Sequence, residues 1–253
     1  MKKLFYLLLL SIAFVSIQCT PNTPEPPVTV ADNNTGTLLV HFIPTYENQP
    51  LYMNKELKHN GSLPIKFQRL SLFSNLLSAS VGISPTQKVS FSDIYDENAA
   101  KKGILMTTTM VSGTYDKLQI GIGVDRTSNK KLPSDYKNGD PLAEIGDYWD
   151  SWNSYIFTKT EGKFDADGSG KFASGFSYHT GTDEMYRVFN IPNKIVIENG
   201  KTMDIYVEID FKKVMNGTNG AIDPLKEENA HSLANKPIAI KIMDNYVTAF
   251  SVK

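Results

Sequence analysis

The segment 65–77 (IKFQRLSLFSNLL) decides the fold class, because its apolar residues recur at every second position over most of its length. Alternation with a period of two predicts a β-strand, since successive side chains of a strand point to opposite faces. One face of this strand is predicted to hold Ile65, Phe67, Arg69, Ser71 and Phe73, and the other Leu70 and Leu72.

The same pattern recurs along the rest of the chain, between turns rich in Gly, Asn and Pro. Further strands are predicted at 37–43, 88–91, 104–109, 115–124, 154–159, 171–178, 194–197, 203–211, 238–243 and 247–252. Two segments break the pattern: the short aromatic segment 147–153, and 225–234 (LKEENAHSLA), where one or two helical turns are predicted. About ten short strands without a long amphipathic helix predict an all-β fold: an antiparallel β-sandwich, immunoglobulin-like or jelly-roll-like, with short helical turns.

Residues 1–18 predict a secretory signal peptide. Lys2 and Lys3 form a short basic region, and residues 4–15 are almost wholly apolar. The apolar segment is too short for a membrane-spanning helix. Cys19 is the single cysteine of the 253 residues, and its position directly after this segment predicts lipidation. The alternative is an ordinary cleaved signal followed by an incidental cysteine.

The segment after the signal predicts a tether. Residues 20–34 are rich in Pro, Thr and Asn and contain few large apolar residues, so they cannot form a core of their own. The predicted organisation is a signal peptide at 1–18, a lipidated cysteine and tether at 19–35, and one β-sandwich domain at 36–253. We expect a cell-envelope protein that is anchored to a membrane by its lipid and faces the periplasm, with display on the cell surface as the alternative.

Charge and cysteine content exclude several classes of function. The formal net charge is −1, and no stripe of Lys or Arg is present to attract nucleic acid. With Cys19 acylated, the mature domain has no thiol for a disulfide or a thiolate metal site. The sequence also contains no G-x-S-x-G and no H-E-x-x-H motif, so we expect that the protein is not an enzyme.

A possible calcium loop occurs at 165–170 (DADGSG). In an EF-hand loop counted from Asp165, the twelfth position carries a bidentate Glu, but here it is Phe176. The segment also lies between two predicted strands. An Asp-Gly hairpin turn is therefore favoured over a calcium site.

Four histidines are present, and three of them are candidate metal ligands. His41 lies within a predicted strand, His179 ends another, and His231 lies in the predicted helical turns. His59 lies in a polar turn and is predicted to be solvated. Each histidine, taken singly, is also explained as a structural or surface residue. Imidazole suits copper, zinc, iron or nickel, so the residue type does not select the metal.

Trp149 and Trp152 are the only tryptophans of the chain. On a helical turn, a spacing of three places both indoles on one side, whereas on a strand they face opposite ways. One interpretation is that the two indoles cap the hydrophobic core, as large aromatic side chains commonly do. The other is that they belong to a functional site.

Several motifs occur in a characteristic order. They are LVHF (39–42), QPL (49–51), RLSLFSNL (69–76), GTY (113–115), GIGVD (121–125), YWDSWNSYIF (148–157), EG (161–162), FSYHTG (176–181), AH (230–231) and DNY (244–246). This series resembles that of the MbnP-like copper-binding proteins, which are periplasmic or lipid-anchored partners of di-haem peroxidase-type enzymes. The resemblance extends over residues 36–253, and the signal is similar to that of Bacteroidetes lipoproteins. Its most specific part is the Trp-x-x-Trp block followed by the Tyr-His-x-Gly block.

The resemblance implies copper binding by histidines next to a tryptophan that a partner haem enzyme oxidises to kynurenine. It implies His179 and His231 as ligands first and then His41, with Trp149 or Trp152 as the modified or neighbouring aromatic residue. Copper-binding members of the family carry a His two residues after the modified tryptophan. The sequence departs from that pattern, because positions 151 and 154 are both Ser.

The sequence therefore predicts a monomeric copper-binding lipoprotein with a di-haem peroxidase-like partner. The alternative is a metal-free binding or adhesion module for glycans or proteins, with Tyr148, Trp149, Trp152 and Tyr155 as an exposed aromatic platform. A third candidate, a periplasmic hydrolase, requires a pair of carboxylates in a cleft.

Overall fold

The computed structural model describes residues 34–79 and 82–253, without the side chain of Leu233. The predicted signal peptide, Cys19 and most of the tether lie outside the described residues. Asn34 to Lys253 form one compact unit whose first strand begins at Thr35, one residue before the predicted domain start. No helix in this part of the chain is long and apolar enough to cross a membrane.

Nineteen strands and four helices build the described domain. The strands are β1 (Thr35–Tyr46), β2 (Gln49–Pro50), β3 (Leu57–His59), β4 (Leu63–Ser78), β5 (Gly82–Ile83), β6 (Gln87–Ser90), β7 (Ile104–Val111), β8 (Gly113–Tyr115), β9 (Gln119–Ile122), β10 (Tyr148–Trp149), β11 (Ser154–Phe164), β12 (Ser174–Gly181), β13 (Arg187–Asn190), β14 (Ile195–Ile197), β15 (Thr202–Asp210), β16 (Asn216–Gly217), β17 (Gly220–Ala221), β18 (Asn229–Ala230) and β19 (Phe250–Val252). The helices are α1 (Glu97–Lys102), α2 (Arg126–Asn129), α3 (Phe211–Met215) and α4 (Lys236–Ala249). Short 3₁₀ turns occupy Pro133–Asp135, Pro141–Ala143, Ile145–Asp147, Asp183–Met185 and Leu233–Asn235.

Two large sheets enclose the core. The first has the order β19-β15-β1-β2, and β7 also pairs with β1. The second has the order β13-β9-β4-β11-β12-β18, with β3, β5 and β6 also on β4 and β10 also on β11. This architecture confirms the predicted all-β, sandwich-like fold. The pairing is not wholly antiparallel as predicted, because β1 and β15 are parallel, as are β12 and β18.

Strand β4 contains the segment that decided the fold class, and it corrects the predicted faces. Ile65 and Phe67 are buried, but Gln68 and Arg69 are both exposed, because the pairing of β4 with β11 shifts by one residue at this point. A β-bulge of this kind reverses which face the following residues occupy. Arg69 therefore does not share a face with Ile65 and Phe67, and it lies opposite Glu161 of β11.

The C-terminal segment contains the main error of the sequence-based prediction. The predicted strand at 238–243 is wrong, because these residues belong to helix α4. The residues of α4 that face the core are Ala239, Ile242, Met243, Asn245, Tyr246 and Ala249. Their spacing of three and four is helical. The alternation of Ile238, Ile240 and Ile242 imitates a strand over only five residues.

The predicted helical turns at 225–234 are also corrected. The segment contains a turn, the short strand β18 and a 3₁₀ turn at Leu233–Asn235. Strand β18 pairs in parallel with β12, in the register Ser177↔Asn229 and Tyr178↔Ala230. His231 follows this strand directly, so the parallel register places it next to His179.

The segment 165–170 lies in the loop that joins the antiparallel strands β11 and β12, as the hairpin interpretation requires. The loop is long, and its carboxylates organise the backbone. Asp165 accepts hydrogen bonds from the amides of Ser169 and Gly170 at 3.2 and 2.7 Å, and Asp167 accepts from the amide of Ser169 at 3.1 Å.

His59 is buried, so the prediction that it is solvated is wrong. Its Nε2–H donates to the carbonyl oxygen of Ile222 at 2.8 Å, and its Nδ1 lies 3.5 Å from the hydroxyl of Tyr46. Burial lowers the pKa of His59, because the charged form loses its hydration. His59 is therefore a structural histidine.

Candidate functional site

A polar cluster lies on the face of the second sheet that points away from helix α4. On the α4 side, Thr180 of β12 contacts Met243 and Thr160 of β11 contacts Tyr246. Strand side chains alternate, so the neighbouring residues face the opposite way. These residues are Lys159 and Glu161 on β11, paired with His179 and Ser177 on β12.

His179 and His231 lie side by side in this cluster. Their ring centroids are 4.4 Å apart, and their planes differ by 26°. His179 is 8% exposed, whereas His231 is exposed at the edge of the sheet. A surface depression of about 460 Å³, lined in part by Ser177 and His231, opens His231 to solvent.

The two tryptophans lie beside the histidine pair. Residues 150–153 form a turn in which the Trp152 amide donates to the Trp149 carbonyl at 3.1 Å, so both indoles fall on one side as the helical-turn spacing predicts. Their centroids are 4.6 Å apart. The Trp149 ring also lies 5.5 Å from His179 and 5.8 Å from His231. Trp149 is thus in contact with both imidazoles.

Glu161 forms a hydrogen bond with His179. The Nε2 atom of His179 lies 2.6 Å from Oε1 of Glu161, and Arg69 approaches the same oxygen at 3.7 Å. Burial by itself raises the pKa of Glu161, but the hydrogen bond from His179 and the positive charge of Arg69 lower the pKa below its ordinary value. Glu161 is therefore ionised at neutral pH.

Ser177 connects the two histidines. Its hydroxyl oxygen lies 2.6 Å from Nε2 of His231 and 3.4 Å from Nε2 of His179. A catalytic triad needs the carboxylate and the serine on different nitrogens of one imidazole. Glu161 and Ser177 instead share Nε2 of His179, so this serine is not arranged as a nucleophile.

Two further features make the two histidines suitable as ligands of a metal ion. The Nδ1 atom of His179 is buried and has no hydrogen-bond partner among the described residues. Burial lowers the pKa of His231 below its ordinary value, because the charged form loses its hydration. His231 is therefore neutral at pH 7, which is the form of imidazole that binds metal ions.

A buried ion network anchors the segment that carries Trp149. Asp147, two residues before Trp149, accepts from the ammonium groups of Lys159 at 2.6 Å and Lys88 at 2.5 Å. Lys159 also donates to the carbonyl oxygen of Gly146 at 2.9 Å. Burial raises the pKa of Asp147, but the hydrogen bonds and charges of both lysines outweigh it and lower the pKa. The network ties the indole segment to the sheet.

His41 does not join this cluster. It lies on β1 in the other sheet, on the face turned away from the core. Its Nε2 lies 2.6 Å from Oδ1 of Asp204, and its ring stacks on Tyr206 with centroids 4.5 Å apart. The structure thus brings together two of the three predicted ligands. Within residues 34–79 and 82–253, no group of three or more His, Cys, Asp or Glu has the arrangement of a metal site.

The exposed aromatic platform of the alternative function does not form. Trp152 is only 8% exposed, and Tyr155 is fully buried. Tyr148 packs against Tyr155 with ring centroids 5.0 Å apart. Trp149 packs between Trp152 and His179 instead of lying open, so the aromatic segment does not present a flat surface to a glycan or protein.

Gly181 allows β12 to lie close to the backbone of Tyr155, and its replacement tests this contact. An added Cβ would lie 2.7 Å from the carbonyl oxygen of Tyr155 and 3.6 Å from Cε3 of Trp152. We expect Gly181→Ala to lower the free energy of unfolding by about 1–3 kcal/mol in urea denaturation.

Gly175 of the same strand supplies the control for Gly181. An added Cβ there lies 3.6 Å from the nearest atom, so we expect Gly175→Ala to change stability by about 0.5 kcal/mol or less. Equal stabilities of the two variants would contradict the proposed close packing at Gly181.

Four polar residues around the indole and the histidines were not predicted as site residues: Asp147, Lys159, Glu161 and Ser177. The spacing of two in Lys159-x-Glu161 and in Ser177-x-His179 is the available signal, because it places each pair on one face of a strand. The register of β11 against β12 pairs Lys159 with His179 and Glu161 with Ser177, which brings Glu161 within hydrogen-bonding distance of His179, and no local pattern contains this register.

The fold and the cluster together define a sandwich-like domain with paired histidines beside an indole on one sheet face. A family model described as MbnP matches residues 35–233, and the chain therefore belongs to the MbnP family. Among solved structures, the chain is similar to MbnP from Methylosinus trichosporium, with 13% sequence identity and a TM-score of 0.46 over 71% of this chain and 77% of that chain. No curated protein matches the sequence. Membership of the family suggests a copper-associated role.

Proposed function

We propose that this protein binds copper through His179 and His231, beside Trp149, and that it handles or captures copper in the cell envelope without being an enzyme. The observation that carries the proposal is the contact of two imidazoles with each other and with one indole. His41 is not part of the proposed ligand set, because it lies in the other sheet. There its ring contacts Asp204 and stacks on Tyr206.

The donor set fits copper in three respects. Copper accepts imidazole nitrogen as a ligand. The described residues contain no cysteine that could supply a thiolate. The buried Nδ1 of His179 has no partner among the described residues, so a nitrogen is available for a ligand. The hydrogen bond from His179 to Glu161 is the type of carboxylate contact that orients metal-binding histidines. Bound copper would supply a redox-active cation for storage or transfer.

Trp149 is the tryptophan that we propose for oxidation to kynurenine by a haem-containing partner enzyme of the di-haem peroxidase type. Trp149 touches both imidazoles and is half-buried, whereas Trp152 is buried. The intact mass of the native protein, followed by peptide mapping, reports the modification and the residue that carries it. A modified Trp152 with an intact Trp149 would contradict this assignment.

We also propose that the protein is a lipid-anchored monomer facing the periplasm, without a nucleic-acid partner. The sequence supports this through the apolar segment 4–15 and the single Cys19, together with a near-neutral net charge. Labelling with a radioactive or alkyne-bearing fatty acid in the native host tests the anchor. A Cys19→Ala variant that is labelled as strongly as the wild type would contradict lipidation at this residue.

The copper site is tested by titration of the protein with Cu(I) in competition with a coloured chelator. We expect one tightly bound ion per chain in the wild type, and an affinity lowered about 100-fold or more in His179→Ala and in His231→Ala, since each substitution removes a ligand. His41→Ala is the matched control, because it removes an imidazole from the same domain outside the cluster. Wild-type affinity in both His179→Ala and His231→Ala would overturn the proposed site.

A further inference from the structure

We infer that Glu161 fixes His179 in the tautomer that carries its proton on Nε2, so that Nδ1 is the nitrogen that binds the metal ion. This inference rests on the proposed copper site and assigns Glu161 as a positioning residue within it. It concerns the metal-free protein first, because the tautomer is set before any ion arrives.

The first argument is the contact between Glu161 and Nε2. The distance of 2.6 Å from Oε1 to Nε2 is that of a strong, charge-assisted hydrogen bond. A carboxylate can only accept, so the proton must lie on the imidazole nitrogen. A neutral imidazole has one N–H and one lone pair, and Nδ1 therefore carries the lone pair.

The second argument is the surroundings of the two ring nitrogens. Nε2 faces two oxygens, since the hydroxyl of Ser177 lies 3.4 Å away in addition to Glu161. Nδ1 is buried and has no partner among the described residues. A proton on Nδ1 would be a buried donor without an acceptor, which is unfavourable. An unprotonated Nδ1 is a buried acceptor without a donor, and this costs less free energy. Both nitrogens thus favour the same tautomer.

The third argument is that Glu161 is itself held in place. Arg69 lies 3.7 Å from the oxygen that accepts from His179. The bulge in β4 turns Arg69 to this face of the sheet, and β11 carries Glu161 directly opposite it. The carboxylate is therefore positioned by two strands, and His179 by a third. An orienting carboxylate of this kind also raises the basicity of the ligand nitrogen.

The first experiment measures the tautomer of the metal-free protein by nitrogen-15 NMR of the histidine rings at alkaline pH. In the wild type, we expect a protonated Nε2 and an unprotonated Nδ1 at His179. In Glu161→Gln, the side-chain amide can either donate or accept, so we expect a mixture of the two tautomers.

Asp204→Asn is the matched control, because His41 and Asp204 form the same type of contact at the same distance of 2.6 Å. We expect this variant to change the signals of His41 and to leave those of His179 as in the wild type. A proton on Nδ1 of wild-type His179, or an unchanged tautomer in Glu161→Gln, would overturn the inference.

The second readout is the affinity for Cu(I) in the chelator competition. Loss of an orienting partner lowers metal affinity about 10–100-fold, so we expect that change for Glu161→Gln and wild-type affinity for Asp204→Asn. If His179→Ala loses copper while Glu161→Gln binds it as the wild type does, the inference fails and the copper site stands. If His179→Ala also binds normally, the proposed site itself fails.

Discussion

Asp147→Asn is expected to lower the free energy of unfolding by about 3–5 kcal/mol, because it leaves the ammonium group of Lys159 buried without its counter-ion. The side chains of Asp147 and Lys159 are 3% and 4% exposed, so water cannot replace the lost interaction. Lys88 on the other side of the carboxylate is partly exposed and can rehydrate. Lys159 therefore dominates the loss.

Chemical denaturation monitored by tryptophan fluorescence measures this effect next to the indole segment. Glu97→Gln is the control, because Glu97 pairs with Lys101 at the surface and we expect a change of about 0.5 kcal/mol or less. The double variant Asp147→Leu/Lys159→Met removes both charges, and we expect it to recover most of the loss. A single variant Asp147→Asn as stable as the wild type would show that the network does not hold the segment.

The same network predicts a pH dependence. The pKa of Asp147 is lowered in the folded state, so its stabilising contribution is complete above the unfolded pKa near 4 and is lost as the pH falls towards the folded pKa. We expect the wild type to lose stability in this acidic range, and Asp147→Asn to lack that part of the loss. The measurement is denaturant unfolding repeated at a series of pH values below 5.

The second large effect is expected for Asn245→Leu, with a loss of about 2–4 kcal/mol. Asn245 is fully buried in helix α4 and satisfies the backbone of the preceding loop. Its Nδ2 donates to the carbonyl oxygens of Val214 and Gly220 at 3.2 and 2.9 Å, and its Oδ1 accepts from the amide of Asn219 at 3.1 Å. Leucine has a similar size but forms none of these three hydrogen bonds.

Asp244→Ala is the neighbouring control for Asn245. Asp244 forms a partly exposed ion pair with Arg187, so we expect a loss of about 1 kcal/mol or less. Thermal or urea unfolding of both variants provides the comparison. Losses of the same size at the two positions would contradict the role of Asn245 in fixing the loop to the helix.

Helix α4 shows where sequence reasoning about the fold ends. Strands such as β4 and β15 are predictable, because apolar residues alternate over much of their sequences. The segment 238–243 alternates as well, but Met243, Tyr246 and Ala249 continue the buried pattern with helical spacing. A short window does not distinguish the two periods. The bulge at Gln68 is also not predictable from the sequence of β4, because it depends on the pairing of β4 with β11.

The rare residues of the site were predictable from the sequence, but the polar residues around them were not. His179, His231 and Trp149 stand out because such residues are few in this chain, and the structure places them in contact. His41 was equally rare, yet its strand lies in the other sheet. Glu161 and Asp147 are two of 27 acidic residues, so their residue type does not single them out. Which strands become neighbours is a long-range property of the fold. It places His41 outside the cluster and Glu161 beside His179.

X-ray absorption at the copper edge of the protein loaded with one equivalent of Cu(I) tests the central claim most directly, because it counts the imidazoles bound to the ion. We predict the multiple-scattering pattern of two imidazoles in the wild type and in His41→Ala, and of a single imidazole in His231→Ala. A first shell without imidazole in the wild type, or two imidazoles retained after both His179 and His231 are replaced by alanine, would contradict the proposed copper site.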